Sequence, residues 1–143
     1  MLFVILVLQS FLMRTFLFFI GFIFLFCGIT SAQQSLDTIK APAVYENIYN
    51  RPLYADSVAS SFVIFIKKEV KAHKHAAHAE HVLILDGTGE MTLDEKTFKV
   101  KKGDMIFIPK NTFHSVKTTS KIPLKVLSVQ APFFDGKDRI FKQ

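Results

Sequence analysis

The sequence predicts an all-β fold, a small β-sandwich or barrel, and three observations carry that prediction. From Ser61 onward the chain is a succession of short runs rich in β-branched and aromatic residues: "FVIFI", "HVLIL", "EMTL", "TFKV", "MIFI", "HSVK" and "PLKVLSV". Between them stand turn chemistries, "DGTG", "DEK", "KKGD", "PKNT" and "TTSK". No stretch in this region sustains a 3.6-residue apolar period long enough for a core helix. About seven short strands so closely spaced belong to a sandwich or a closed barrel.

Before Ser61 the chain has two other parts. Residues 1–32 contain no acidic residue and a single charge, Arg14, followed by a dense apolar stretch from Phe16 to Phe26 and the small residues Thr30-Ser31-Ala32. This is the layout of a secretory signal peptide, with Met13 as an alternative start that would place the basic residue near the terminus. The competing expectation is a retained membrane anchor, although the apolar run after Arg14 is about 15 residues, short of the roughly 20 that span a bilayer. Cleavage is the preferred reading, and with it a periplasmic or secreted protein. Residues 33–60 are polar and irregular, broken by Pro42 and Pro52, and read as an N-terminal arm with at most a short strand around "AVYENIY". The folded domain is expected over 61–143.

Composition limits the chemistry. Cys27, the only cysteine, falls in the apolar segment. Its removal leaves no disulfide, no cysteine nucleophile and no thiolate metal site, so any metal must be held by nitrogen and oxygen. Setting Arg14 aside, 17 of the 18 basic residues face 12 acidic ones. The lysines mostly alternate with apolar residues, as on solvated strand faces, and nucleic acid is not an expected partner. Nor does the chain offer a Ser-His-Asp arrangement, a phosphate-cradling glycine loop or a carboxylate pair for glycoside hydrolysis.

The informative stretch is "HKHAAHAEH", which holds four of the five histidines between His73 and His81. By propensity "KAHKHAAHAEH" is helix-like, and on a helix His75, His78 and His81 would form one stripe. A helix of about ten residues wedged between strand-like runs is close to the length at which isolated helices fail. Strand, loop, strand is the preferred reading. His73 and His75 then share a face, "AAHA" is the loop, and Glu80 opens the next strand with Val82 and Ile84 on its own face. His81 has the opposite parity and should face away; His78 lies in the loop, and both read as solvated or supporting residues. The fifth histidine, His114, follows "GDMIFIPKNTFH": a turn at Gly103, an apolar strand, Pro109 ending the pairing, and a second turn.

These two blocks resemble the paired motifs of the cupin family. His73-x-His75-x4-Glu80-x6-Gly87 is similar to the first motif and Gly103-x5-Pro109-x-Asn111-x2-His114 to the second, with the 15 intervening residues typical of small cupins. The resemblance covers roughly Ser61 to Gln130. Asn111 stands where the family usually has glycine, a mild departure because Asn tolerates positive φ best among non-glycine residues. Thr118 stands where an asparagine often follows the last histidine.

The resemblance implies a double-stranded β-helix (jelly-roll) barrel holding a divalent metal through His73, His75, Glu80 and His114. Mn, Fe, Ni, Cu and Zn all suit that donor set. It further implies a metal-dependent enzyme of oxygenase, decarboxylase or isomerase type acting on a small oxygen-rich molecule, with Glu80 as ligand and proton carrier. The alternatives are a non-catalytic module that binds a small ligand or metal, and a scaffold barrel. A homodimer is the expected assembly. Ile64, Ile66, Val82, Ile84, Met105, Phe107 and Val129 are the expected inward-facing apolar residues, and "APFFDG" (131–136) is expected to close one end.

Overall fold

A computed structural model of the chain describes residues 33–143. The expectation of a signal peptide or anchor falls on residues 1–32 and lies outside the described residues. After a 3-10 turn at Leu36–Thr38 come ten strands: β1 Ile48–Ala55, β2 Ser60–Ile66, β3 Glu69–Lys74, β4 Ala79–Asp86, β5 Thr88–Leu93, β6 Lys96–Lys101, β7 Met105–Ile108, β8 His114–Thr118, β9 Leu124–Ala131 and β10 Ile140–Phe141. They form two antiparallel five-stranded sheets, ordered β1-β2-β9-β4-β7 and β10-β3-β8-β5-β6. From β4 onward the chain crosses between sheets at β4–β5, β6–β7, β7–β8, β8–β9 and β9–β10, winding as a double-stranded β-helix. The all-β, jelly-roll expectation holds. Residues 71–81 are strand, bend and strand, which excludes the helical alternative.

The space between the sheets is filled by Ile66, Val82, Ile84, Met91, Val100, Ile106, Ile108, Leu124 and Val126. Part of the expected inward set is corrected here. Met105 and Phe107 are 62% and 53% exposed, and Val129 lies on the outer face. The register explains it: Val82 pairs with Ile106 and with Ser128, whereas the outward His81 pairs with Phe107 and with Val129. Directly opposed residues of an antiparallel pair share a face. The inward residues of β7 and β9 are therefore Ile106, Ile108, Leu124, Val126, Ser128 and Gln130.

Strand β2 is buried on both sides. Its outward residues Val63 and Phe65 join Ile39 in a second cluster, against which Leu36, Tyr45, Tyr49 and Leu53 pack. The segment expected to carry at most a short strand thus contributes an eight-residue edge strand and a cover. Pro52 is tolerated because β1 is paired on one side only. Asn47 fastens the cover at one end, its side chain accepting from the Lys68 amide at 2.8 Å and donating to the Glu69 carbonyl at 2.7 Å. Lys125 fastens it at the other, donating to the carbonyls of Leu36 and Ile39 at 2.6 and 3.0 Å. Among the described residues no helix is long and apolar enough to cross a membrane.

Candidate metal centre

Three local devices bring the histidines together. The first is a β-bulge in β3: Val70 pairs with Val116, but His73 pairs with His114, so one strand carries an extra residue. Simple alternation from the inward Val70 would turn His73 outward. The bulge resets the parity and sets the His73 and His114 rings 4.2 Å apart between centroids. The second is the turn after β7, where Asn111 adopts φ 63° and its amide donates to the His75 carbonyl at 2.7 Å. The third is the β5–β6 turn, where Asp94 exchanges hydrogen bonds with Phe113, just ahead of His114. Gly87, at the crossing from β4 to β5, has φ +79°, and a Cβ there would meet the Pro123 carbonyl oxygen at 2.9 Å.

His73, His75 and His114 are all buried, and one ring nitrogen from each lies within 4.8 Å of the other two. Each ring donates from Nδ1 to a backbone carbonyl: His73 to Lys71 at 2.8 Å, His114 to Thr112 at 3.1 Å, and His75 to Asp138. In the neutral rings Nε2 is then the unprotonated nitrogen, and those of His75 and His114 have no hydrogen-bond partner among the described residues. Glu80 faces them, its Oε2 lying 3.6 Å from His75 Nε2 and 3.5 Å from His114 Nε2. Its Oε1 accepts from the Ser128 hydroxyl at 2.5 Å.

Buried imidazole nitrogens without partners are costly unless something meets them. Three neutral nitrogen donors and one carboxylate suit a divalent transition metal. In the metal-free protein the electrostatics favour a neutral His73 and an ionised Glu80, and favour the proton on His75, which a metal would displace. Burial and the charge of His114 lower the His73 pKa to about 4. Burial works to lower His75 too, but Glu80 and the Asp138 carbonyl outweigh it and raise the group. Burial works to raise Glu80, yet His114, His75 and the Ser128 hydroxyl together hold its carboxyl well below the usual range. Near neutral pH the cluster therefore presents one carboxylate to the imidazoles.

The structure thus gathers His73, His75, Glu80 and His114 at one place. His81 is exposed and packs its ring on Phe107. His78 is buried beside the cluster, donating to the Asp138 carboxylate at 2.5 Å and to the Phe133 carbonyl at 2.8 Å. Phe134 is buried and sets its ring edge-on to both His75 and His78, so the "APFFDG" segment covers this end.

Sequence reasoning missed Asp138. Its carboxylate also accepts from the amides of Ala76 and Ala77 at 2.9 and 2.7 Å, and these contacts hold its pKa down to about 2 against burial. It missed β10 as well, where Phe141 pairs with His73. An acid in a polar tail carries no signal of a partner some 60 positions away.

A cavity of about 130 Å³ opens beside the cluster. Ile64, Ile66, Val82, Ile84 and Val126 line it, with His73, Glu80, His114, Gln130 and Arg139 among its polar residues.

Comparison with known proteins bears on the family and the fold. The family model described as "Cupin domain" matches residues 62–130. An uncharacterised protein of Methanocaldococcus jannaschii is 38% identical over 110 residues, 77% of this chain and 82% of that protein. One of Aquifex aeolicus is 38% identical over 57% of this chain, which spans 66% of its length, just under two thirds. The crystal structure of an uncharacterised conserved protein with a double-stranded β-helix domain from Klebsiella pneumoniae superposes with a TM-score of 0.67. The two are 17% identical, with 79% of this chain and 98% of that one covered, a likeness of fold alone.

Proposed function

Since the chain belongs to the cupin superfamily, we propose that it binds one divalent metal ion through His73, His75, Glu80 and His114 and acts as a metal-dependent enzyme on a small oxygen-rich organic molecule. The observation that carries the proposal is the pair of buried, unpartnered Nε2 atoms beside a buried carboxylate, at the edge of an apolar cavity. When bound, a metal at this donor set supplies Lewis acidity or a place for dioxygen. The chain's own residues do the rest. The carbonyls of Lys71, Asp138 and Thr112 fix the imidazole tautomers. Ser128 holds Glu80 Oε1 and so orients Oε2 toward the histidines, where it serves as ligand and proton carrier. The aliphatic walls exclude water from the reacting molecule.

Elemental analysis of untagged protein tests the metal directly, with one equivalent of Mn, Fe, Ni, Cu or Zn expected. His114→Ala and Glu80→Ala should abolish binding, whereas His81→Ala should leave the stoichiometry unchanged. Loss of metal in His81→Ala would overturn the assignment.

Binding without turnover is the second reading. It is favoured by the scarcity of carboxylates, Glu80 being the only one that lines the cavity among the described residues. Silence of metal-loaded protein across oxygenase, decarboxylase and isomerase substrates would select it. Export and a homodimeric assembly remain part of the proposal, checked by fractionation of the producing cells and by sedimentation.

A further inference from the structure

Beside the metal cluster, the cavity has three kinds of wall, and each asks for a different part of a ligand. Ile64, Ile66, Val82 and Ile84 present aliphatic surface. Gln130 is 3% exposed and lines the same cavity, and its Oε1 has no hydrogen-bond partner among the described residues. An amide oxygen so deeply buried calls for a donor, and a ligand hydroxyl supplies one. Arg139 also lines the cavity but is exposed, so it stands at the mouth. It makes no ion pair among the described residues, and its guanidinium lies over the Phe134 ring at 5.9 Å. A guanidinium with its fork free is a receptor for a planar carboxylate. Glu80, the one acidic residue that lines the cavity among the described residues, already faces Ser128 and the histidines. The volume of about 130 Å³ is close to the roughly 150 Å³ apolar cavity that takes benzene, which sets the apolar part at about four to six carbons.

We infer that the cavity binds a small hydroxylated monocarboxylic acid with a branched aliphatic body, the carboxylate on Arg139, the hydroxyl on Gln130 Oε1 and the body against the isoleucine wall. This deepens the proposed function, because it rests on the barrel interior being a small-molecule site.

The test is calorimetric titration of the full chain, with and without metal, using 2-hydroxy-4-methylpentanoate. Three comparison compounds each lack one part: 4-methylpentanoate the hydroxyl, 4-methylpentane-1,2-diol the carboxylate, glycolate the body. The complete compound should bind about tenfold or more tightly than each of them. Arg139→Gln should weaken both acids bearing the aliphatic body by at least about tenfold and leave the diol unchanged. Gln130→Met should weaken the hydroxy acid to the level of 4-methylpentanoate, whose own retained binding shows that the variant is folded.

The preference should persist in metal-free protein, which separates Gln130 from simple chelation of metal. Full metal occupancy with no preference among the four compounds would overturn the inference, as would an Arg139→Gln variant that binds like the parent. Tighter binding of 3-methylbutyl phosphate would overturn the carboxylate assignment. A chain that holds no metal yet keeps the preference would remove the metal reading and leave this one standing.

Discussion

His73 is the residue through which pH acts most directly on the metal-free protein. Its folded pKa of about 4 lies below the ordinary 6.5, so the unfolded chain binds the proton first. The stabilisation this represents is complete above pH 6.5 and is lost as pH falls from 6.5 to about 4. Its size is about 3 kcal/mol. His75, shifted the other way, contributes stability below its ordinary value that is lost as pH rises. Urea unfolding of metal-free protein between pH 4 and 7 should therefore show a flatter profile for His73→Gln than for the parent; parallel profiles would refute the assignment.

Asp138 acts at the same scale by holding others in place. Asp138→Ala removes the partner of His78 and of the Ala76 and Ala77 amides. Metal affinity should fall about 10- to 100-fold with stoichiometry retained, as measured by chelator competition. The histidines and Glu80 could be read from the chain because motif spacing and strand parity both pointed at them. Asp138, Ser128 and Gln130 could not, since their roles come from pairings with residues about 50 to 60 positions away.

At the scale of elements, the strand runs and their turns were legible because β-branched residues and turn residues alternate so regularly from Ser61 onward. Parity was legible only within an uninterrupted strand. Glu80, Val82 and Ile84 face inward as their alternation predicts, because β4 pairs with β9 without a break from Ala79 to Ile84. Met105 and Phe107 were misread because each turn restarts the alternation with an offset that only the register supplies. The β3 bulge is a deeper case: nothing local in "EVKAH" announces an extra residue, and it shows only as the displaced pairing with β8.

The arm before β2 was undervalued because its apolar residues are few and scattered, yet they meet a second buried cluster. Ile39→Ala should cost about 2 kcal/mol in chemical denaturation, with metal stoichiometry unchanged, because Ile39 packs on the face of β2 away from the histidines.

For the whole molecule, metal binding couples to stability by mass action. Free metal at about 100 times its dissociation constant adds about 2.7 kcal/mol, which for a domain of this size raises the Tm by on the order of 10 °C. The rise should vanish in His114→Ala, as scanning calorimetry would show. The order of assembly follows from where β9 sits. Although it begins only at Leu124, it is the middle strand of its sheet, flanked by β2 and β4. Lys125 then secures the cover across 89 positions of chain. A growing polypeptide therefore has no complete first sheet to rest on while the ribosome works through the preceding residues. Synthesis must therefore pass β9 before the barrel closes, which should make refolding slow, milliseconds to seconds, and leave any product ending before Leu124 without a cooperative fold.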